Sequence, residues 1–145
     1  MGDGDRPDGI LGRIAPPAPE RRVPASSVDV LLVRGDERFT ARVTALLRRN
    51  AYSVVEVPAP AEALATVRGG CQPRLVVVDL DGATAGDRSA LLALQEEPGC
   101  GHASFLALSR DGDGGPAGLR LAGALLKPLD AAELVEAVRR LCGVG

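Results

Sequence analysis

Residues 75–80 (LVVVDL) constrain the fold more than any other stretch of the chain. Four aliphatic residues in a row leave no polar face, and the run is too short for a buried helix. It reads as a strand covered on both sides, as in the centre of a parallel sheet. Shorter runs of the same kind stand at residues 28–33 (VDVLLV), 52–57 (YSVVEV), 105–109 (FLALS) and 124–126. Helical periodicity fills the gaps between them. Behind Asp36, which is able to cap a helix, Phe39, Val43, Leu46 and Leu47 recur at i, i+4, i+7 and i+8. Residues 61–68 form a short helix stopped by Gly69 and Gly70, and residues 90–95 mark a third. A last helix opens on Asp130 with Glu133 three residues on, and runs through Leu134, Val138 and Leu141. Five strands alternating with helices predict a parallel α/β sheet with both faces covered.

The stretch before residue 28 has a different texture. It holds five of the eleven prolines, four of the eighteen glycines, and four acids against four bases. Without hydrophobic periodicity it cannot bury enough surface to offset its ordering entropy, so residues 1–27 read as a disordered Pro/Gly-rich tail and 28–145 as the domain. The chain opens with acids where a secretory signal has a basic head, and its apolar runs are far shorter than the roughly 20 residues that span a bilayer. A cytoplasmic protein without a membrane segment is expected. Its formal charge of −2 provides no electrostatic pull toward nucleic acid, and with Phe39, Phe105 and Tyr52 as its aromatics it lacks stacking platforms for single strands. Cys71, Cys100 and Cys142 are widely spaced and His102 is the one histidine, a pattern that reads as reduced thiols and not as a zinc site.

A parallel α/β sheet carries its chemistry at the carboxyl ends of its strands. There the chain places Arg34, Gly35 and Asp36 after the first strand, Asp79 and Asp81 at the third, Ser109 at the fourth and Lys127-Pro128 after the fifth. A carboxylate, a hydroxyl and an ammonium converging in this way suit phosphoryl transfer to a carboxylate. Asp79 would be the nucleophile, Ser109 a donor to one phosphoryl oxygen and Lys127 the charge partner of another.

With these residues in place, the chain resembles the receiver domain of two-component response regulators over about residues 28–145. PRLVVVDLDGATAGD is similar to the family's third strand and following loop, with Asp79 at the phosphoacceptor position. FLALSR resembles its fourth strand, with Ser109 at the switch hydroxyl, and LLKPLDAAELVEAVRRL resembles its Lys-Pro motif and final helix. RFTARVTALLRRNAYSVVEV and EALATVRGG are similar to its first two helices and second strand. The resemblance implies a flavodoxin-like, doubly wound five-stranded sheet of order 2-1-3-4-5 and a cis peptide at Lys127-Pro128. It also implies phosphorelay signalling with no enzymatic activity beyond self-phosphorylation from a donor and slow self-dephosphorylation. The implied partners are a histidine kinase or phosphotransfer protein and a downstream target, or a second copy in a homodimer. Only four residues follow Leu141, so no output domain is expected and the protein would act by contact.

Two departures from the family pattern stand out. Receivers carry an acidic pair after the first strand that, with the phosphoacceptor, holds Mg²⁺; here Arg34 and Gly35 replace it. Asp79, Asp36 and Asp81 are the candidate ligands that remain, with Asp36 equally placed to cap a helix. Arg34 could instead reach Asp79 and supply a fixed positive charge there. The other departure is the Gly-rich segment between Ser109 and Lys127, which predicts a short or irregular fourth helix and puts Ala124 at the family's aromatic switch position.

Two rival readings stay open. A pseudo-receiver would work as a protein-interaction module without phosphorylation. A phosphatase of the haloacid-dehalogenase type would use the VVVDLDGAT string, with Asp79 and Asp81 as nucleophile and acid. That motif normally lies on the first strand of its domain, and Ala83 stands where it has Thr or Val.

Overall fold

The computed structural model describes residues 26–33, 37–112 and 114–142. Their elements follow in the order β1 (Ser26–Val33), α1 (Glu37–Arg49), β2 (Val54–Val57), α2 (Pro60–Arg68), β3 (Cys71–Asp79), α3 (Ala85–Gln95), a 3-10 turn (Pro98–Cys100), β4 (Ser104–Ser109), β5 (Gly123–Leu126) and α4 (Ala131–Leu141). All four strand pairings are parallel, as the alternation of strands and helices predicts, and the sheet order is β2-β1-β3-β4-β5, as the resemblance implies.

Strand alternation divides the core into two layers. Val30 and Leu32 of β1, Leu75 and Val77 of β3, and Leu106 and Leu108 of β4 face one side, where they pack with Val43 and Leu47 of α1 and Leu134 and Val138 of α4. Their sequence neighbours Leu31, Val33, Val76, Val78, Phe105 and Ala107 face the other side and meet Ala63 and Val67 of α2 and Leu91 and Leu94 of α3. Because side chains in a strand point alternately to opposite faces, an unbroken apolar run is required wherever both faces are buried. The run at residues 75–78 is therefore the centre of the sheet.

Several boundaries differ from the sequence reading for local reasons. β1 begins at Ser26, where it already pairs with Cys71 of β3. Tyr52 packs against the α1 and α4 layer, and Ser53 exchanges hydrogen bonds with Asp29: its N–H donates to Asp29 Oδ2 and its Oγ accepts the Asp29 N–H, both at 2.8 Å. β2 therefore starts only at Val54. α3 begins five residues before its apolar positions, because Thr84 and Asp87 form a capping box. Thr84 Oγ1 accepts the Asp87 N–H at 3.0 Å, while Asp87 Oδ2 accepts the Thr84 N–H at 2.9 Å. Asp130 caps α4 by accepting the Ala132 N–H at 2.9 Å. The Asp36 cap lies outside the described residues.

Between β4 and β5 the described residues form turns and no helix. Gly112, Gly115 and Gly118 take φ of 79°, 81° and 94°, a left-handed geometry that a helix cannot accommodate. Gln95 at the end of α3 holds this segment. Its amide donates to Gly118 O at 2.7 Å, and its Oε1 accepts the Arg120 N–H at 2.9 Å. Edge strand β5 is left lightly covered, with Leu126 58 % exposed.

Tight packing also fixes the turn after α3. A Cβ on Gly99 would lie 2.6 Å from Val67 Cγ1 and 3.0 Å from Cys71 O. Gly99→Ala is expected to destabilise the fold by about 1–3 kcal/mol through overpacking. Urea denaturation followed by far-ultraviolet circular dichroism should show a lower midpoint with an unchanged slope.

Candidate functional site

The topology brings three strand ends together. β3 lies between β1 and β4, and β4 between β3 and β5, so Asp79, Ser109 and the residue after Leu126 meet at one edge of the sheet. Asp79 is the last residue of β3 and is only 7 % exposed; Ser109, the last of β4, is 2 % exposed. Lys127 follows β5 directly. Its N–H donates to Ser109 O at 2.8 Å, and the expected cis peptide joins it to Pro128. Its side chain, 7 % exposed, then runs inward to the acids.

The Lys127 ammonium sits between two carboxylates. Nζ donates to Asp79 Oδ2 at 2.7 Å and lies 2.9 Å from Asp81 Oδ2, the latter an ion pair without the alignment of a hydrogen bond. The remaining oxygens are met by backbone donors. Asp79 Oδ1 accepts the Asp81 N–H at 3.0 Å, and Asp81 Oδ1 accepts the Arg110 N–H at 3.1 Å. The Arg110 guanidinium adds a looser charge contact, with Nε 3.9 Å from Asp81 Oδ2. Phe39 of α1 completes the enclosure, with the Lys127 ammonium 4.3 Å from its ring centroid. Burial by itself raises the Asp81 carboxyl, but its close contact with Lys127, its hydrogen bond from the Arg110 N–H and the charges of both cations outweigh that and hold it below the usual Asp range.

Asp79, Asp81 and Lys127 are thus brought into contact, with Ser109 at the adjoining strand end. Asp36, Arg34 and Gly35 lie outside the described residues, and so does any contact of Arg34 with Asp79. Phe39 is a member of the site that helical periodicity shows only as one more apolar position. Nothing in the sequence signals its place under Lys127, which depends on how α1 lies across the strand ends.

The four oxygens of Asp79 and Asp81 are already engaged, two by an ammonium and two by backbone N–H groups. Among the described residues no group of three His, Cys, Asp or Glu side chains gathers that could hold a metal ion. Lys127 thus occupies the space between the two carboxylates, each oxygen of which keeps a second lone pair, and Asp36, the other candidate ligand, lies outside the described residues. Beside the acids a cleft of about 190 Å³ opens, bounded by Pro58, Pro60, Gly82 and Asp87 among others.

No protein-family model and no curated protein matches the sequence. Solved structures do match the fold. The receiver domain of the sensor histidine kinase PA1611 from Pseudomonas aeruginosa PAO1, a structure with a magnesium ion in its active-site cleft, is 20 % identical. It aligns with a TM-score of 0.70 over 81 % of this chain and 99 % of its own. A two-component response regulator from Legionella pneumophila aligns with a TM-score of 0.70 at 19 % identity over 81 % and 99 % of the two chains. The chemotaxis response regulator CheY4 of Vibrio cholerae gives 0.66 and 19 % over 80 % and 99 %. At these identities the likeness establishes the fold: the chain adopts the CheY-like receiver fold, as its sequence resemblance implies.

Two measurements check the electrostatics of the cluster. Lys127→Met leaves buried Asp79 without its cation and is expected to cost about 3–5 kcal/mol in denaturant unfolding, the usual effect of removing one partner of a buried pair. For Asp81 the folded pKa lies below the unfolded value. Its stabilising contribution is therefore complete above the unfolded value and is lost as pH falls through the folded one. The stability difference between the native protein and Asp81→Asn should stay constant from about pH 5 to 7 and shrink below about pH 4.

Proposed function

We propose that this chain is a receiver-like signalling module in which Asp79 accepts a phosphoryl group from the phosphohistidine of a histidine kinase or phosphotransfer protein. The observation that carries this reading is Lys127 Nζ at 2.7 Å from Asp79 Oδ2, at the junction of three strand ends and beside buried Ser109. A carboxylate oxygen of Asp79 would form the new bond to phosphorus as the P–N bond of the donor breaks, with the electron pair leaving on the imidazole nitrogen. The adjoining cleft, lined by Asp79 and Asp81, offers space for the group; Lys127, in contact with Asp79, would meet one of its oxygens and Ser109, at the adjoining strand end, another.

A specific observation favours a second reading, the phosphorylation-independent interaction module. Asp81 already supplies an anion to Lys127 and to the Arg110 N–H in the unmodified protein, so donors that would meet a phosphoryl group have a partner without one. The phosphatase reading has less support, since an Asp81 held ionised by two cations is poorly placed to donate a proton.

Intact mass after incubation with acetyl phosphate, with and without Mg²⁺, separates the two main readings. Phosphoryl acceptance predicts a gain of one phosphoryl group per chain that Asp79→Asn abolishes. An unchanged mass under both conditions, in protein that retains its fold, would assign the chain to the interaction module.

A further inference from the structure

A second cavity, larger than the cleft at the acids, runs along the outer side of α1. It is a groove of about 810 Å³ between α1 and the segment that leads from Lys127 into α4. Its floor includes Phe39 and Leu46 of α1 together with Leu129 and Leu134. Among the described residues its charged groups are all cationic: Arg38, Arg42 and Arg49 from α1, Arg110 from the end of β4, and Lys127 at the inner end. None of the described residues that line it is acidic.

The helix pattern explains the arrangement. Arg38, Arg42, Ala45 and Arg49 recur at i, i+4, i+7 and i+11, so they form one stripe along α1. Phe39, Val43 and Leu46 form the next stripe, turned toward the core. Between Arg42 and Arg49 the small Ala45 leaves a gap through which a bound group can approach the helix. Arg42 and Arg49 are exposed and make no ion pair among the described residues, in contrast to Arg48 on another face, which donates to Val54 O at 3.1 Å. The guanidinium groups of Arg42 and Arg49 along one apolar trough are repulsive in the absence of a ligand.

We infer that this groove is a binding site for a soluble small molecule with an apolar, planar or acyl body and an anionic carboxylate, phosphate or sulfonate head. The volume lies in the range of about 300–1,000 Å³ typical of small-molecule sites, and such sites pair an apolar lining with a few placed polar groups. The body would lie on Phe39, Leu46 and Leu129, and the head would take the paired N–H groups of Arg42 and Arg49, whose planar fork suits an oxyanion. Phe39 is shared with the acid cluster, because its ring also carries the Lys127 ammonium. The inference holds whether or not Asp79 accepts a phosphoryl group.

The test uses anilinonaphthalene sulfonate as the amphipathic anion, its uncharged relative N-phenylnaphthylamine, and amide shift mapping by NMR on the full chain. The sulfonate should bind saturably at one per chain, shift amides of α1 and of the segment from Lys127 into α4, and bind more tightly than the neutral probe. Arg42→Gln combined with Arg49→Gln should weaken it by roughly tenfold or more. Ala45→Glu, which sets an acid in the gap, should do the same with an unchanged circular dichroism spectrum. Equal affinity in these variants, equal binding of the neutral probe, or shifts that map elsewhere would overturn the inference. So would a chain that ignores the soluble probe yet is retained by phosphatidylglycerol vesicles or by an acidic amphipathic peptide, since the groove would then serve a membrane or a protein.

Discussion

A parallel sheet covered by helices on both faces leaves polar side chains the edges where its strands begin and end, and the carboxyl edge is the one that gathers the acids and Lys127 here. The acid and lysine cluster of this chain follows from that confinement. β3 spends Leu75 to Val78 filling two apolar layers, and Asp79 is the first residue free to be polar. β4 does the same through Leu108 and then offers Ser109. The order β2-β1-β3-β4-β5 makes these ends neighbours, so groups far apart in sequence share one small volume.

Within that volume charge must balance, because water is largely excluded. Two carboxylates two residues apart repel each other, and the buried ammonium of Lys127 relieves the repulsion by touching both. Desolvation offsets much of the attraction in such a cluster, so it is poor support for the fold by itself. It does hold both acids in place through backbone donors on one side and a cation on the other. The turn after β3 is part of this: Gly82 takes φ of 77°, and the chain bends so that Asp81 points back toward Lys127 and Arg110. The site stands on a CheY-like receiver scaffold, with Lys127 touching both acids at the strand ends.

The Gly-rich segment between β4 and β5 changes the β5 side of the sheet. Where a helix would cover the last strands, three left-handed glycines form turns that Gln95 pins to α3. β5 is thereby left with an exposed Leu126, and the better-built surface of the molecule lies on the α1 and α4 side, where arginines border an apolar trough.

Local pattern was enough to determine the strands, since burial on both faces demands unbroken apolar runs and LVVVDL has no other use. The same logic placed Asp79, Ser109 and Lys127 at strand ends, and the Lys-Pro motif marked the last of these. The apolar pattern marks only residues 90–95 of α3, because residues 85–89 carry no apolar period. Its start rests on the reciprocal bonds of Thr84 and Asp87, a signal present in the sequence as Thr-x-x-Asp. Partnership was another matter. Asp81 is visible in the sequence as an acid beside Asp79, but whether it faces a metal, solvent or a lysine depends on the turn at Gly82 and on where β5 delivers Lys127. Phe39 and the arginine stripe become part of a site only when α1 is laid across the strand ends. The sequence alone therefore determined which chemical groups reach the edge of the sheet. Tertiary structure decided which of them touch, because contacts between residues about fifty positions apart are set by packing and not by local pattern.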